Sequence, residues 1–134
     1  MNRSMPPGTF IPELPYPDVT AAVRWLCATF GFVERLRIGN HRAQLVYEEG
    51  SLIVTQGAAL PVEPAGVTIM VRVPDVDAHF AHTQASGAQI ITPPTNHPYG
   101  ERQYVVADPG GHHWVFSQTI ADIDPATWGG QLMV

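Results

Sequence analysis

The chain has 134 residues, 45% of them hydrophobic, with a net charge of −5 and only seven Lys plus Arg. That is enough chain for one buried core in an ordinary globular composition, and the few, scattered basic residues argue against a nucleic-acid surface. A single cysteine, Cys27, rules out an internal disulfide, and no apolar run approaches membrane length.

Residues 1–9 carry no apolar signal stretch, so a cytoplasmic location is expected. Pro6, Pro7 and Gly8 block regular structure, which predicts a flexible arm. A strand is expected over Phe10–Tyr16, on a sheet edge because Pro12 and Pro15 have no N–H to donate. A helix follows over Val19–Phe30, where Val19, Val23, Leu26 and Phe30 recur at helical spacing and demand a packing partner. Trp25 lies off that stripe and suits a pocket edge, a subunit contact or a second packing face. Cys27, among apolar neighbours, reads as an inert buried thiol. Strands over Val33–Ile38, Arg42–Glu48 and Leu52–Gln56 are separated by turns at Gly39-Asn40 and Glu49-Gly50. Pro61, Pro64 and small residues mark 57–66 as a linker.

The pattern then repeats. Pro-Asp-Val-x-Ala, at residues 17–21, recurs 57 positions later at residues 74–78. In both copies a strand leads into it, and the Asp can cap the first turn of a helix. Val67–Val73 alternates strictly, as a strand with two different faces does. A helix over Val76–Ser86 ends before Gly87, and a strand covers Gln89–Thr92. A loop over Pro93–Gly100 carries His97 and Tyr99. Strands over Gln103–Ala107 and His113–Gln118 flank the turn Asp108-Pro109-Gly110-Gly111. The tail from Ala121 holds Trp128, which could anchor it. His79 and His82, three apart on a helix without a carboxylate partner, read as a solvated face.

Each half therefore reads β-α-β-β-β. The expected fold is α+β: one domain of two modules, residues 10–56 and 67–118, between an arm (1–9) and a tail (119–134). A curved eight-stranded mixed sheet would wrap a cavity shared by the halves. Together with Trp25-Leu26-x-x-x-Phe30-Gly31-Phe32, Val73-x-Asp75-Val76-Asp77-Ala78, Tyr99-Gly100-x-Arg102 and Asp108-Pro109-x-Gly111-His112-x-Trp114, this pattern resembles the vicinal oxygen chelate superfamily. Glyoxalase I, extradiol dioxygenases, fosfomycin-resistance enzymes and bleomycin-resistance proteins belong to it. The similarity covers about residues 10–118. It implies that Asp-Pro-x-Gly-His is a fold signature, with His112 a turn residue bonded to backbone.

The resemblance also implies where a metal would sit: on the first and last strand of each half, at Ile11, Val54, Thr68 and Val115. Valine and isoleucine cannot ligate a divalent ion and a lone threonine is a poor ligand, so no metal and no cofactor is expected. Alternation places Ile11, Glu13, Leu52, Val54, Gln56, Thr68, Met70, Arg72, His113, Val115 and Ser117 on the cavity side, with Trp114 and Phe116 opposite, in the core. Such a mostly apolar face with a few polar groups suits a small molecule. Glu13, Gln56, Thr68, Met70, Arg72, Tyr99, Arg102 and His113 are the expected ligand-binding residues. Glu13 and Arg72 either pair with each other or meet the ligand, and Tyr99, Glu101 and Arg102 lie on a loop able to close over the mouth. Metal-free binding of the bleomycin-resistance type, in a homodimer, is the leading expectation. A metal-independent isomerase or lyase with Glu13 or His113 as acid or base is the alternative, ahead of a metal-dependent lyase or dioxygenase.

Overall fold

The computed structural model describes residues 3–61 and 66–133; the middle of the linker, with Pro64, lies outside them. The first half comprises β1 (Glu13–Tyr16), α1 (Val19–Phe30), β2 (Val33–Ile38), β3 (Arg42–Tyr47) and β4 (Gly50–Gln56). The second comprises β5 (Thr68–Arg72), α2 (Val76–Ala85), β6 (Gln89–Asn96), β7 (Glu101–Ala107) and β8 (His113–Thr119), followed by a short 3-10 turn over Pro125–Trp128. Both halves have the same topology, with strand orders β1-β4-β3-β2 and β5-β8-β7-β6. The first strand of each half runs parallel to the last, and the other pairs are antiparallel. The eight strands thus form two four-stranded mixed sheets, one from each module.

The repeated Pro-Asp-Val phrase works twice as a helix start. Asp18 accepts from the Ala21 amide at 3.0 Å and Asp75 from the Ala78 amide at 3.1 Å, each satisfying an orphan donor of the first turn. Gly31, at φ 82°, closes α1 by donating its amide to the Cys27 carbonyl.

Helix α1 buries its stripe in one core common to both halves, to which α2 adds Val76. Val19, Val23, Leu26 and Phe30 are all buried. Phe30 crosses to the second sheet, with ring centroids 5.3 Å from Trp114 and 4.8 Å from Phe116, geometry that aromatic pairs favour. Trp25 is half-buried, edge-on to Phe30 at 5.0 Å, so its role here is packing.

The two α2 histidines turn toward α1, where His79 is half-buried while His82 stays exposed, so the solvated face expected holds for His82 alone. His79 Nε2 meets the Phe30 carbonyl at 3.3 Å and His82 Nε2 meets the Ala28 carbonyl at 2.9 Å. They donate to carbonyls that the end of α1 leaves without helical partners. The i, i+3 spacing places both rings on one side of α2, as expected, but that side faces α1. With Nε2 donating, His79 Nδ1 accepts from the Tyr104 hydroxyl at 2.6 Å. Burial holds the His79 pKa below the ordinary histidine value, against the Phe30 hydrogen bond. A histidine depressed in this way keeps its neutral ring while the unfolded chain takes up a proton, so stability falls as pH drops through the ordinary histidine range. His79→Gln is expected to flatten urea-midpoint profiles between about pH 5 and 7; an unchanged slope would show that His79 does not carry it.

Two further departures involve prolines. The strand expected to stop at Thr92 continues through Pro93 and Pro94 to Asn96. β6 is the outermost strand of its sheet, and an edge tolerates missing donors. The expected long loop therefore shrinks to a turn, in which the Gly100 amide donates to the His97 carbonyl at 3.1 Å. Second, the arm described from Arg3 onward is docked. Pro6 is buried, and the Gln44 amide donates to the Ser4 carbonyl at 2.7 Å.

The Asp-Pro-x-Gly-His turn holds the halves together through a buried carboxylate. Asp108 Oδ2 accepts from Tyr16 Oη at 2.5 Å and from Trp114 Nε1 at 2.9 Å. Its Oδ1 accepts from the amides of Gly110 and His112, at 2.9 and 3.0 Å, and His112 Nδ1 lies 3.1 Å from both oxygens. His112 is thus a turn residue, as expected, but its ring bonds a side-chain carboxylate instead of the backbone. Both His112 and Tyr16 are fully or almost fully buried.

Candidate functional site

The faces of the two sheets turned away from the helices are the candidate site. In the second sheet the register puts Thr68, Met70 and Arg72 of β5 beside His113, Val115 and Ser117 of β8. Trp114 and Phe116 alternate with these on the core side, at 1% and 0% exposure, as the alternation required. Met70 is 63% exposed, a large apolar side chain uncovered on β5, at the edge of this face.

A linked polar row crosses the same face. Tyr99 Oη donates to Gln103 Oε1 at 3.1 Å, Gln103 Nε2 donates to Ser117 Oγ at 3.0 Å, and Ser117 Oγ donates to Glu101 Oε1 at 2.6 Å. Hydrogen bonds from Ser117 and Thr119, helped by the positive charge of Arg72, hold the Glu101 carboxyl below its ordinary range despite a small opposing effect of burial. Tyr99 closes the row. Its ring stacks on His97 at 5.1 Å and meets Trp128 edge-on at 5.8 Å, so the tail does reach back to this face. Gln103 escaped the sequence reading and Glu101 was assigned to a loop. Alternation with Tyr104 was the available signal, but it required β7 to begin two residues earlier than expected.

In the first sheet the expected register was off by one. Leu52 and Val54 are buried in the core, and Gln56, two further along, shares their side and is exposed. Ser51, Ile53 and Thr55 face away from it. The cause is the length of the lead-in: β4 begins at Gly50 itself, whereas β8 begins two residues beyond Gly111. Counting the same number from each glycine lands on opposite pleats. The equivalent of Val115, which pairs with Met70, is Ile53, which pairs with Glu13.

Three expected ligand-binding residues are thereby reassigned. Gln56 is off the face. Arg102 is on the core side, its guanidinium gripping Asp77 of α2 at 3.0 Å and Asn96 at 2.9 Å, so it braces α2 against β7. Glu13 does not pair with Arg72; it forms a 2.7 Å ion pair with Arg42 and is exposed, outside any apolar surrounding that would tune an acid or base. Glu13 and His113 stand on different sheets. His113 is 8% exposed and its Nε2 is buried without a hydrogen-bond partner among the described residues.

A cavity of about 330 Å³ lies along β5 beside the β3–β4 turn, with Phe32, Leu45, Leu52, Ile69 and Trp114 in its walls and the exposed Met70 and Arg72 among its lining. Its walls are core-side residues of both sheets, so this apolar recess of small-molecule size opens at the β5 edge, and of the outward-facing residues of the second sheet named above it is Met70 and Arg72 that reach it.

With the corrected register, the four positions at which the fold would place a metal are Ile11, Ile53, Thr68 and Val115. These side chains offer no donor set for a divalent ion. No group of three or more His, Cys, Asp or Glu among the described residues is placed to share one.

The family model of the Glyoxalase/Bleomycin resistance protein/Dioxygenase superfamily matches residues 11–116. The chain belongs to that superfamily. Among solved members, TioX from Micromonospora sp. ML1 is 38% identical over 84% of this chain and 99% of its own, with a TM-score of 0.71. TnmS3 from Streptomyces sp. CB03234, described as an antibiotic binding protein, is 25% identical over 88% of this chain and 99% of its own, with a TM-score of 0.69. An uncharacterized protein of Mycobacterium tuberculosis (strain ATCC 25618 / H37Rv) is 41% identical over 58 residues, 43% of this chain but only 34% of that protein. The superfamily relationship accounts for the tandem modules. No helix among the described residues is long and apolar enough to cross a membrane.

Proposed function

We propose that this chain is a metal-free small-molecule-binding protein that sequesters a drug or metabolite on the outward face of its second sheet, acting as a homodimer. The observation that carries the reading is the composition of that face. Exposed Met70 and half-buried Val115 offer apolar contact, while Arg72 and the Tyr99–Gln103–Ser117–Glu101 row offer a few polar groups, as small-molecule sites do. The three apolar side chains and the lone threonine at the metal positions point the same way, as does the likeness to an antibiotic binding protein.

Native mass spectrometry of protein purified without chelator tests this. The expected result is a dimer without stoichiometric divalent metal that retains an organic molecule. Arg72→Ala and Tyr99→Ala should each weaken retention of that molecule about 5- to 30-fold, the effect of losing a contact worth roughly 1–2 kcal/mol. A stoichiometric divalent ion overturns the proposal. The unpartnered Nε2 of His113 supports a second reading, a metal-independent isomerase or lyase with His113 as general base. It takes precedence if the retained molecule is chemically altered by wild type and not by His113→Asn.

A further inference from the structure

The outward faces of the two sheets are related by the internal repeat, yet among the described residues only one carries a segment of this chain docked by its backbone. On the first sheet, Gln44 alternates with the core residues Ala43 and Leu45 and so points away from the core. An exposed position in the middle of such a face would suit glutamine, but Gln44 is 4% exposed. Both ends of its amide are engaged. Nε2 donates to the Ser4 carbonyl at 2.7 Å, and Oε1 accepts from Arg35 Nη1. The other end of the same guanidinium, Nη2, donates to the Arg3 carbonyl at 3.1 Å. Two residues past Ser4, Pro6 is buried. At the equivalent position of the second sheet stands Val105, which cannot donate.

We propose that the β2–β3–β4 face is a peptide-binding face, reading two consecutive backbone carbonyls followed by a buried proline, and that residues 3–6 occupy it in cis. The recognition uses carbonyl oxygens, so it tolerates any side chains at the two carbonyl positions. Selectivity comes from the proline two residues on, whose fixed φ lowers the entropy lost on docking. Arg35 and Gln44 are bonded to each other, so the two donors are pre-oriented as a unit. A second peptide segment of the same chemistry must displace the arm, whose tether gives it an effective concentration of order millimolar. This site is separate from the small-molecule face and does not depend on that reading.

The test uses a chain lacking residues 1–9 and a synthetic peptide of sequence Met-Asn-Arg-Ser-Met-Pro-Pro-Gly-Thr, titrated by isothermal calorimetry or heteronuclear NMR. The truncated chain should bind the peptide with shifts centred on Arg35 and Gln44, and the full chain at least about tenfold more weakly because its own arm competes. Gln44→Ala in the truncated chain should weaken binding about tenfold, and a peptide with Ala in place of its first proline should also bind more weakly. Absence of peptide binding by a folded truncated chain, or equal binding by Gln44→Ala, overturns the proposal. If truncation prevents folding, limited proteolysis of the full chain decides instead. Trypsin should cleave after Arg3 at least about tenfold faster in Gln44→Ala than in wild type, and an unchanged rate overturns the idea. Retention of a small molecule on the second sheet is unaffected by any of these outcomes.

Discussion

Asp108→Ala is expected to destabilise the fold by about 3–5 kcal/mol, the range for stripping the acceptor from a buried charged network. The residue is 5% exposed, and its carboxylate serves the Tyr16 hydroxyl, the Trp114 indole, the His112 ring and two backbone amides. Alanine leaves all of these donors in a space that water does not fill, and each buried unsatisfied group costs about 1–3 kcal/mol. Tyr16 comes from the first half and the rest from the second, so the loss separates the halves as well as loosening the turn. Asp108→Asn keeps the shape but presents N–H to at least one donor, and should lie between alanine and wild type. Urea unfolding of the three proteins at pH 7 checks the order.

The pH dependence has a definite sign. Burial alone would raise the Asp108 pKa, but hydrogen bonds from His112, Tyr16 and Trp114, with the nearby His112 ring, outweigh it and hold the carboxyl below the ordinary aspartate range. A depressed carboxyl contributes stability that is fully present above its unfolded pKa and lost as pH falls through its folded value. Wild type should therefore lose stability below about pH 4 more steeply than Asp108→Asn. At the alkaline end, burial, the Asp108 charge and the Asp108 hydrogen bond push the Tyr16 hydroxyl up. That contribution is present below the ordinary tyrosine value and fades as the unfolded chain begins to ionise, from about pH 10 upward. Equal acid slopes in wild type and Asp108→Asn would mean the carboxylate is not the group responsible.

What could be read from the sequence follows what each feature depends on. The caps at Asp18 and Asp75, the stripe of α1 and the pleat of β5 and β8 depend on neighbours within one element, and these were legible. The register of β4 depended on how many residues separate a turn glycine from the first paired residue, which differs between halves and has no local mark. Arg102 was assigned to the cavity because nothing in one sequence shows that Asp77, 25 positions earlier, would claim it. The double proline in β6 was taken as a stop because only the sheet order reveals an edge. The docked arm was missed for a related reason. Its partners, Arg35 and Gln44, hold backbone carbonyls, and a carbonyl carries no sequence signature.

Two glycine substitutions of the same chemistry should behave differently. Gly111 and Gly100 have φ of 84° and 88°, and in each a Cβ would fall about 2 Å from a backbone carbonyl oxygen, at 1.9 Å from Leu60 and 2.0 Å from Ala121. Both therefore combine a left-handed conformation, costing about 1–2 kcal/mol for alanine, with an overlap that something must relieve. Leu60 cannot move freely. Its amide donates to Gly110 at 2.8 Å, and three residues before it the Gly57 amide donates to Tyr16 at 3.0 Å, so relief would pull on β1 and on the Asp108 turn together. Gly111→Ala should cost about 3 kcal/mol or more in global stability. Ala121 belongs to the segment after β8, held at this point by the Ile120 and Ala121 amides on the Gly100 carbonyl, at 2.8 and 3.1 Å, and farther on by Trp128 against Tyr99. That segment can lift away without disturbing either sheet. Gly100→Ala should then cost only about 1–2 kcal/mol globally, while exchange of the Ile120 and Ala121 amides quickens at least about tenfold and Trp128 becomes more exposed to quenchers. Because Tyr99 would lose its neighbour, retention of a small molecule should weaken in Gly100→Ala although the core stays intact. Equal unfolding midpoints for the two variants would show that the two carbonyls are equally constrained, and that the tail is as much a part of the body as the linker.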